Sequence, residues 1–63
     1  MNASEFALVR HGICRGAALA YVLLIRSDRT DEARKAHREM ARGEARLARM
    51  YWKQFIRAKE AGA

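Results

Sequence analysis

Two residues capable of nucleophilic chemistry, His11 and Cys14, lie close together in the first quarter of the chain. They are three positions apart in a segment that favours helix, so both side chains project from one side of that helix. Arg15 follows directly, and a cation beside a thiol favours the reactive thiolate. Catalysis by a Cys-His pair also needs a group that orients the histidine and a pocket for the substrate. The sequence offers neither, so we expect no catalytic site and no small-molecule substrate.

Motifs for metals and cofactors are missing from the sequence as well. The chain has one cysteine and two histidines, His11 and His37, without the paired spacing of a zinc site. It has no glycine-rich phosphate-binding loop. A single cysteine cannot form an internal disulfide, and a lone thiol favours a reducing compartment. We therefore expect a cytoplasmic protein with no metal and no cofactor.

The most prominent pattern is a ladder of basic residues in the second half of the chain. They recur mostly every three or four positions, so a helix would carry them on one face. Acidic residues are sparse there, and the whole chain has a net charge of +6. Such an excess favours an acidic partner. The ladder consists of Arg34, Lys35, Arg38, Arg42, Arg46, Arg49, Lys53 and Arg57.

A basic ladder of this kind can follow the phosphates of DNA or RNA, because each neutralised phosphate releases counterions. The alternative is a solvated helix face without a partner, on which some arginines can pair with Glu32, Glu39 or Glu44 at helical spacing. No helix-turn-helix, basic zipper or zinc-finger pattern is present, so we expect contacts to the nucleic-acid backbone rather than sequence-specific reading. Trp52 lies beside the ladder and can stack on a base or anchor a protein. The predicted binding residues are Arg38, Arg42, Arg46, Arg49, Lys53 and Trp52.

A second function hypothesis concerns the outer side of the first helix. Near its end, four residues are left uncovered by the predicted helix pairing, and exposed apolar patches usually mark partner surfaces. The protein would then be an inhibitor or adaptor, of the kind that phages and mobile elements encode, that binds an acidic or groove-bearing host protein. The other possibility is a different helix rotation, in which these residues face the mate in the dimer. They are Ala18, Tyr21, Val22 and Ile25.

Two helices account for nearly the whole chain, because proline is absent and strong helix formers dominate. We predict the first helix at about residues 3–26, with Asn2 as its cap and Glu5 three positions later. Residues 27–30 form a turn, and the second helix covers about residues 31–59. So short a turn makes the helices antiparallel. Residues 1–63 are therefore predicted to form one all-α helical hairpin.

Small residues suggest where the two helices approach each other. Gly12, Gly16 and Ala20 are spaced by four, and such a ridge permits close helix packing. If paired residue numbers sum to about 57, Gly12 faces residues 43–45 of the second helix, a region that begins with Gly43. We predict tight packing at these four residues. The same register pairs Phe6 with Tyr51 and Val9 with Ala48.

The amount of apolar surface predicts a dimer. The first helix has a stripe that neighbouring leucines widen to about half its circumference, more than one partner helix covers. A second copy is therefore expected, giving a four-helix bundle. We expect no membrane span, because the uninterrupted apolar run covers residues 16–25, about half of the ~20 needed. The stripes are Phe6, Val9, Ile13, Ala17, Ala20 and Leu24 in the first helix, and Ala33, Ala36, Met40, Gly43, Leu47, Met50, Tyr51, Gln54 and Ala58 in the second.

Overall fold

The computed structural model describes residues 1–62, which form two packed α-helices. Helix α1 spans Ala3–Ser27 and α2 spans Asp31–Gly62, with residues 28–30 between them. The predicted all-α pair of helices is confirmed. Both helices begin where predicted, and both run slightly past their predicted ends.

Local hydrogen bonds account for the starts of both helices. The Asn2 side-chain oxygen accepts from the Glu5 amide at 2.9 Å, and the Thr30 hydroxyl accepts from the Ala33 amide at 3.1 Å. Each bond satisfies one of the amides that the first turn of a helix leaves unpaired. The helix starts are therefore encoded by residues within three positions of each cap.

Polar contacts tie the turn to both helices. The Asp28 amide donates to the Leu24 carbonyl at 2.9 Å, and the Arg34 guanidinium donates to the Asp28 carbonyl at 2.9 Å. His37 Nδ1 donates to the Asp28 carboxylate at 2.8 Å. Arg34 also pairs with Asp31 at 2.7 Å. One aspartate thus links the end of α1 to the second turn of α2, which holds the helices antiparallel.

The helices meet along an interface whose residues alternate at spacings of three and four. This is the heptad spacing of left-handed helix pairs. Every residue in the interface is buried or half-buried, and the most buried are Ala7, Cys14 and Ala48. Much of the interface is alanine or polar, which lets the helix axes come close. Its residues are Ala7, His11, Cys14, Ala18, Tyr21 and Ile25 in α1, and Arg34, His37, Ala41, Glu44, Ala48, Tyr51, Phe55 and Ala58 in α2.

The register of the hairpin is close to the predicted one. The Phe6 and Tyr51 rings pack edge to face with centroids 6.4 Å apart, as predicted. Ala48, however, is contacted by His11, whose Nδ1 lies 2.9 Å from its carbonyl oxygen. Val9, the predicted neighbour of Ala48, is exposed. The predicted pairing of Val9 with Ala48 is therefore wrong, because α1 is rotated so that Val9 faces away from α2.

The same rotation overturns the predicted packing at the glycines. A Cβ added at Gly12, Gly16 or Gly43 would meet no atom within 4 Å, and Ala20 is exposed. The prediction that these residues bring α1 and α2 together is wrong. Alanines do so instead, because their short side chains lie in the interface.

Most of the large apolar side chains remain on the surface. The hairpin measures 48 × 15 × 12 Å, so it is one helix thick in its smallest dimension and encloses no larger core. In an antiparallel pair of helices, residues of α1 and α2 that are rotated away from the interface in the same sense lie on the same side of the hairpin. Seven exposed residues share one side, which we call the apolar face: Phe6, Val9, Ile13 and Leu24 of α1, and Met40, Leu47 and Met50 of α2.

Helix α1 is long and apolar enough to cross a membrane by length and composition. Its most apolar window has a mean hydropathy of 1.5, and only 6% of that window is buried in the hairpin. The prediction against a span considered only the uninterrupted apolar run, whereas the wider window tolerates isolated charges. Because the core helix of a soluble protein has the same length and composition, this feature does not assign α1 to a membrane.

Candidate functional site

The basic residues predicted to bind a partner lie on the outer side of α2. We call them the basic face: Arg38, Arg42, Arg46, Arg49 and Lys53, all of them exposed. Helical spacing of three or four brings them together on one side. At 1.5 Å per residue, they extend over about 22 Å along the helix. The face therefore presents a continuous row of positive charge.

No residue of the basic face is neutralised within the hairpin. Across residues 1–62, the ion pairs within 4.0 Å are Arg34 with Asp31 and His37 with Asp28, and both lie at the turn. Pairing of the ladder arginines with glutamates of α2 is not observed in this part of the chain, so the basic face is exposed to solvent. Arg34, although it belongs to the ladder, is engaged in holding the turn.

One acid of α2 is withdrawn into the interface instead. Glu44 is half-buried and lies near Cys14 of α1. Burial raises the pKa of the Cys14 thiol, and Glu44 raises it further, whereas Arg10 lowers it. The cation that acts on this thiol is therefore Arg10 and not Arg15, the residue expected from the sequence. Burial keeps Cys14 as a protonated packing residue.

His11 is likewise engaged in the interface. Its Nδ1 donates to the Ala48 carbonyl, and its ring lies against Trp52 with centroids 5.1 Å apart. Within residues 1–62, no three His, Cys, Asp or Glu side chains come close enough to hold a metal ion. The contacts of His11 and Cys14 are thus those of helix packing.

A groove lies between α1 and α2 on the side opposite the apolar face. Its volume is about 430 Å³, and it contains Arg15 and Leu19 from α1 and Ala45, Arg49 and Trp52 from α2. The groove exists because alanines on both helices leave the space above the interface open. Arg49 belongs to both the groove and the basic face.

Trp52 is held in this groove by two aromatic neighbours. Its ring centroid lies 5.1 Å from that of His11 and 5.3 Å from that of Phe55, while 44% of the residue stays exposed. The structure therefore places Trp52 beside Arg49, as expected from helical spacing. The sequence pattern had not indicated that Arg15 of α1 lies in the same groove, because that requires the rotation of α1.

The predicted apolar patch near the turn is only partly exposed in the hairpin. Ala18, Tyr21 and Ile25 are half-buried against α2, and the Tyr21 ring stacks on His37 with centroids 5.8 Å apart. Only Val22 remains exposed. The observed rotation of α1 turns the other three residues toward α2. The apolar face lies on the other side of the hairpin, and further exposed apolar residues outside it are Leu8, Leu19, Leu23 and Ile56.

Comparison with known proteins identifies no relative. No protein-family model matches the chain, and neither a curated protein nor a solved structure matches it. The geometry of the basic face, the groove and the apolar face is therefore the basis for assigning a function.

Proposed function

We propose that this chain is a non-enzymatic binding protein that docks its basic face on the phosphate backbone of a nucleic acid. The observation that carries the proposal is a row of five exposed cations, none of them paired within the described hairpin. Four are arginines, whose planar fork binds phosphate in two places. A face evolved only for solubility would mix both signs of charge.

Self-association through the apolar face is the second part of the proposal. A chain of 63 residues is marginal alone, and among residues 1–62 only Ala7, Cys14 and Ala48 are well buried. The apolar face carries large side chains from both helices, and Arg10, which lies beside Phe6 and Ile13, holds its guanidinium carbon 5.5 Å from the centre of the Tyr51 ring. A two-fold pairing through it gives a four-helix bundle of antiparallel hairpins. The grooves then lie on the outside of the bundle, and the basic faces remain open to a cytoplasmic nucleic acid.

Salt dependence of binding tests the docking proposal. Each cation that neutralises a phosphate of duplex DNA contributes about 0.9 to the slope of log affinity against log salt. Five cations give a slope of up to about −4.5, or about 500-fold weaker binding between 50 and 200 mM salt. The double change Arg42→Gln and Arg46→Gln lowers the slope to about −2.7, which is about 40-fold over the same range.

A matched variant separates docking from net charge. Arg26→Gln with Lys59→Gln removes the same charge from exposed residues outside the basic face. Fluorescence anisotropy with labelled duplex DNA and duplex RNA should show the wild-type slope for this control. Binding that is independent of salt, or equal losses in the two double variants, would remove the basic face from the proposal.

A host protein that covers the apolar face is the second candidate function. The large exposed side chains of this face favour it, since patches of this kind mark partner surfaces. In this case the chain acts as an inhibitor or adaptor, and the partner takes the place of the second copy. Sedimentation separates the candidates, because the inhibitor requires a folded monomer with a free apolar face at micromolar concentration.

A further inference from the structure

We propose that the groove between α1 and α2 receives an unpaired base of a single-stranded nucleic acid, with flanking phosphates on Arg15 and Arg49. This inference depends on the proposed docking to nucleic acid and adds the class of substrate, a strand whose bases are free.

The shape of the groove fits a flat ring. Its floor consists of Ala18, Ala45 and Ala48, whose side chains end at Cβ, and Leu19 and Trp52 rise beside it. The volume of about 430 Å³ lies within the ~300–1,000 Å³ of ligand sites. An apolar slot with an aromatic wall suits the face of a base.

The charges of the groove fit a nucleotide strand better than an uncharged aromatic compound. Arg15 on α1 and Arg49 on α2 line opposite sides, and no acid lines the groove in the part of the chain that the structure describes. A strand carries a phosphate on each side of every base, so one base in the groove places its two phosphates toward the two helices. A carboxylate ligand has a single anionic group and leaves one guanidinium without a counter-ion.

The groove is also continuous with the basic face. Ala45 and Arg49 border a neighbouring depression of about 310 Å³ that Arg42 and Arg46 complete. A strand held by its phosphates on the basic face therefore reaches the groove without passing an acidic residue. This continuity distinguishes the groove from an isolated apolar cavity.

Trp52 is already fixed in place for stacking. His11 and Phe55 contact its ring, and His11 is itself held by the hydrogen bond to the Ala48 carbonyl. Because the indole is ordered before binding, little conformational entropy is lost when a base stacks on it. Its 44% exposure leaves surface for the base.

Fluorescence of Trp52 tests this inference directly, because it is the only tryptophan in the chain. The probes are a single-stranded oligouridylate, an abasic strand of the same length, and duplex RNA. The oligouridylate should quench Trp52 and bind about 5- to 150-fold more tightly than the abasic strand, as expected for one stacked base. Duplex RNA should bind with little quenching, because its bases are already paired.

Two variants test whether the base binds in the groove. Ala45→Leu fills the floor and should abolish both the quenching and the preference for the base-bearing strand, while duplex binding persists. Arg15→Gln should weaken binding of the oligouridylate more than binding of the duplex. Ala61→Leu, at an exposed position near the end of α2, is the control and should behave as wild type.

The outcomes separate this inference from the proposed function. Equal affinity for the base-bearing and abasic strands without quenching overturns the base site, and salt-dependent duplex binding would then still support docking. Absence of all nucleic-acid binding overturns both. If circular dichroism shows that Ala45→Leu does not fold, Arg15→Gln decides: equal effects on the single strand and the duplex overturn the base site.

Discussion

Replacement of Ile13 by glutamine should weaken the dimer without unfolding the hairpin. Ile13 belongs to the apolar face and is 54% exposed in the single chain. Glutamine is a good helix former and uncharged, so the change removes apolar surface with little effect on helix propensity. Leu19→Gln is the matched control, because Leu19 is 56% exposed in the middle of the same helix but on the opposite side.

The expected magnitude follows from the exposed area. Complete burial of an isoleucine side chain contributes about 2 kcal/mol of stabilisation. Because Ile13 is about half exposed in the single chain, roughly half of that can be gained when the dimer forms. The dimer loses this contribution twice by symmetry, so its dissociation free energy falls by about 2 kcal/mol and its Kd rises about 30-fold. Burial of the glutamine amide without a partner would increase the loss. Leu19→Gln should change the Kd by less than about threefold, since isolated surface changes cost little.

Analytical ultracentrifugation over a concentration series measures the Kd, and circular dichroism checks that both variants stay helical. Thermal unfolding of the wild type should also shift to higher temperature with concentration, because self-association stabilises the folded state. Equal weakening by Ile13→Gln and Leu19→Gln would show that the apolar face is not the contact surface. A wild-type chain that is a folded monomer at tens of micromolar would refute the dimer altogether.

Three further outcomes are expected from the hairpin itself. Gly12→Ala should raise the unfolding free energy by about 1 kcal/mol in urea denaturation, because alanine favours the helix and its Cβ meets open space; destabilisation would show that Gly12 is closely packed after all. Thr30→Ala should lower the unfolding free energy by about 1 kcal/mol, because the Ala33 amide loses its acceptor, and an unchanged urea midpoint would argue against this cap. Cys14 should react with a thiol reagent far more slowly in the folded protein than in denaturant, because it is buried and its raised pKa keeps it protonated near neutral pH; rapid modification of the folded chain would contradict this placement.

The basic face could be assigned before the structure, whereas the groove could not. Residues three or four apart share a helix face whatever lies around the helix, so Arg42, Arg46 and Arg49 were grouped correctly. Arg15 and Trp52 are far apart in sequence, and they meet only because α1 has one rotation against α2. The spacing of three and four that joins Ala7, His11, Cys14, Ala18, Tyr21 and Ile25 along α1 was the available signal for that rotation. It was masked by the broader apolar stripe that contains Ile13.

Local interactions explain the features that were predictable from the sequence. Asn2 and Thr30 begin the helices through bonds to amides three residues away, and the turn between them is too short for any arrangement but an antiparallel one. The rotation of the helices was decided only by their mutual packing. The apolar arc of α1 is so wide that several rotations bury similar apolar area, and periodicity does not distinguish among them. The alanines at the interface permit the closest approach of the two helix axes. Because the helices pack with these alanines facing each other, Phe6, Ile13 and Leu24 lie on the surface.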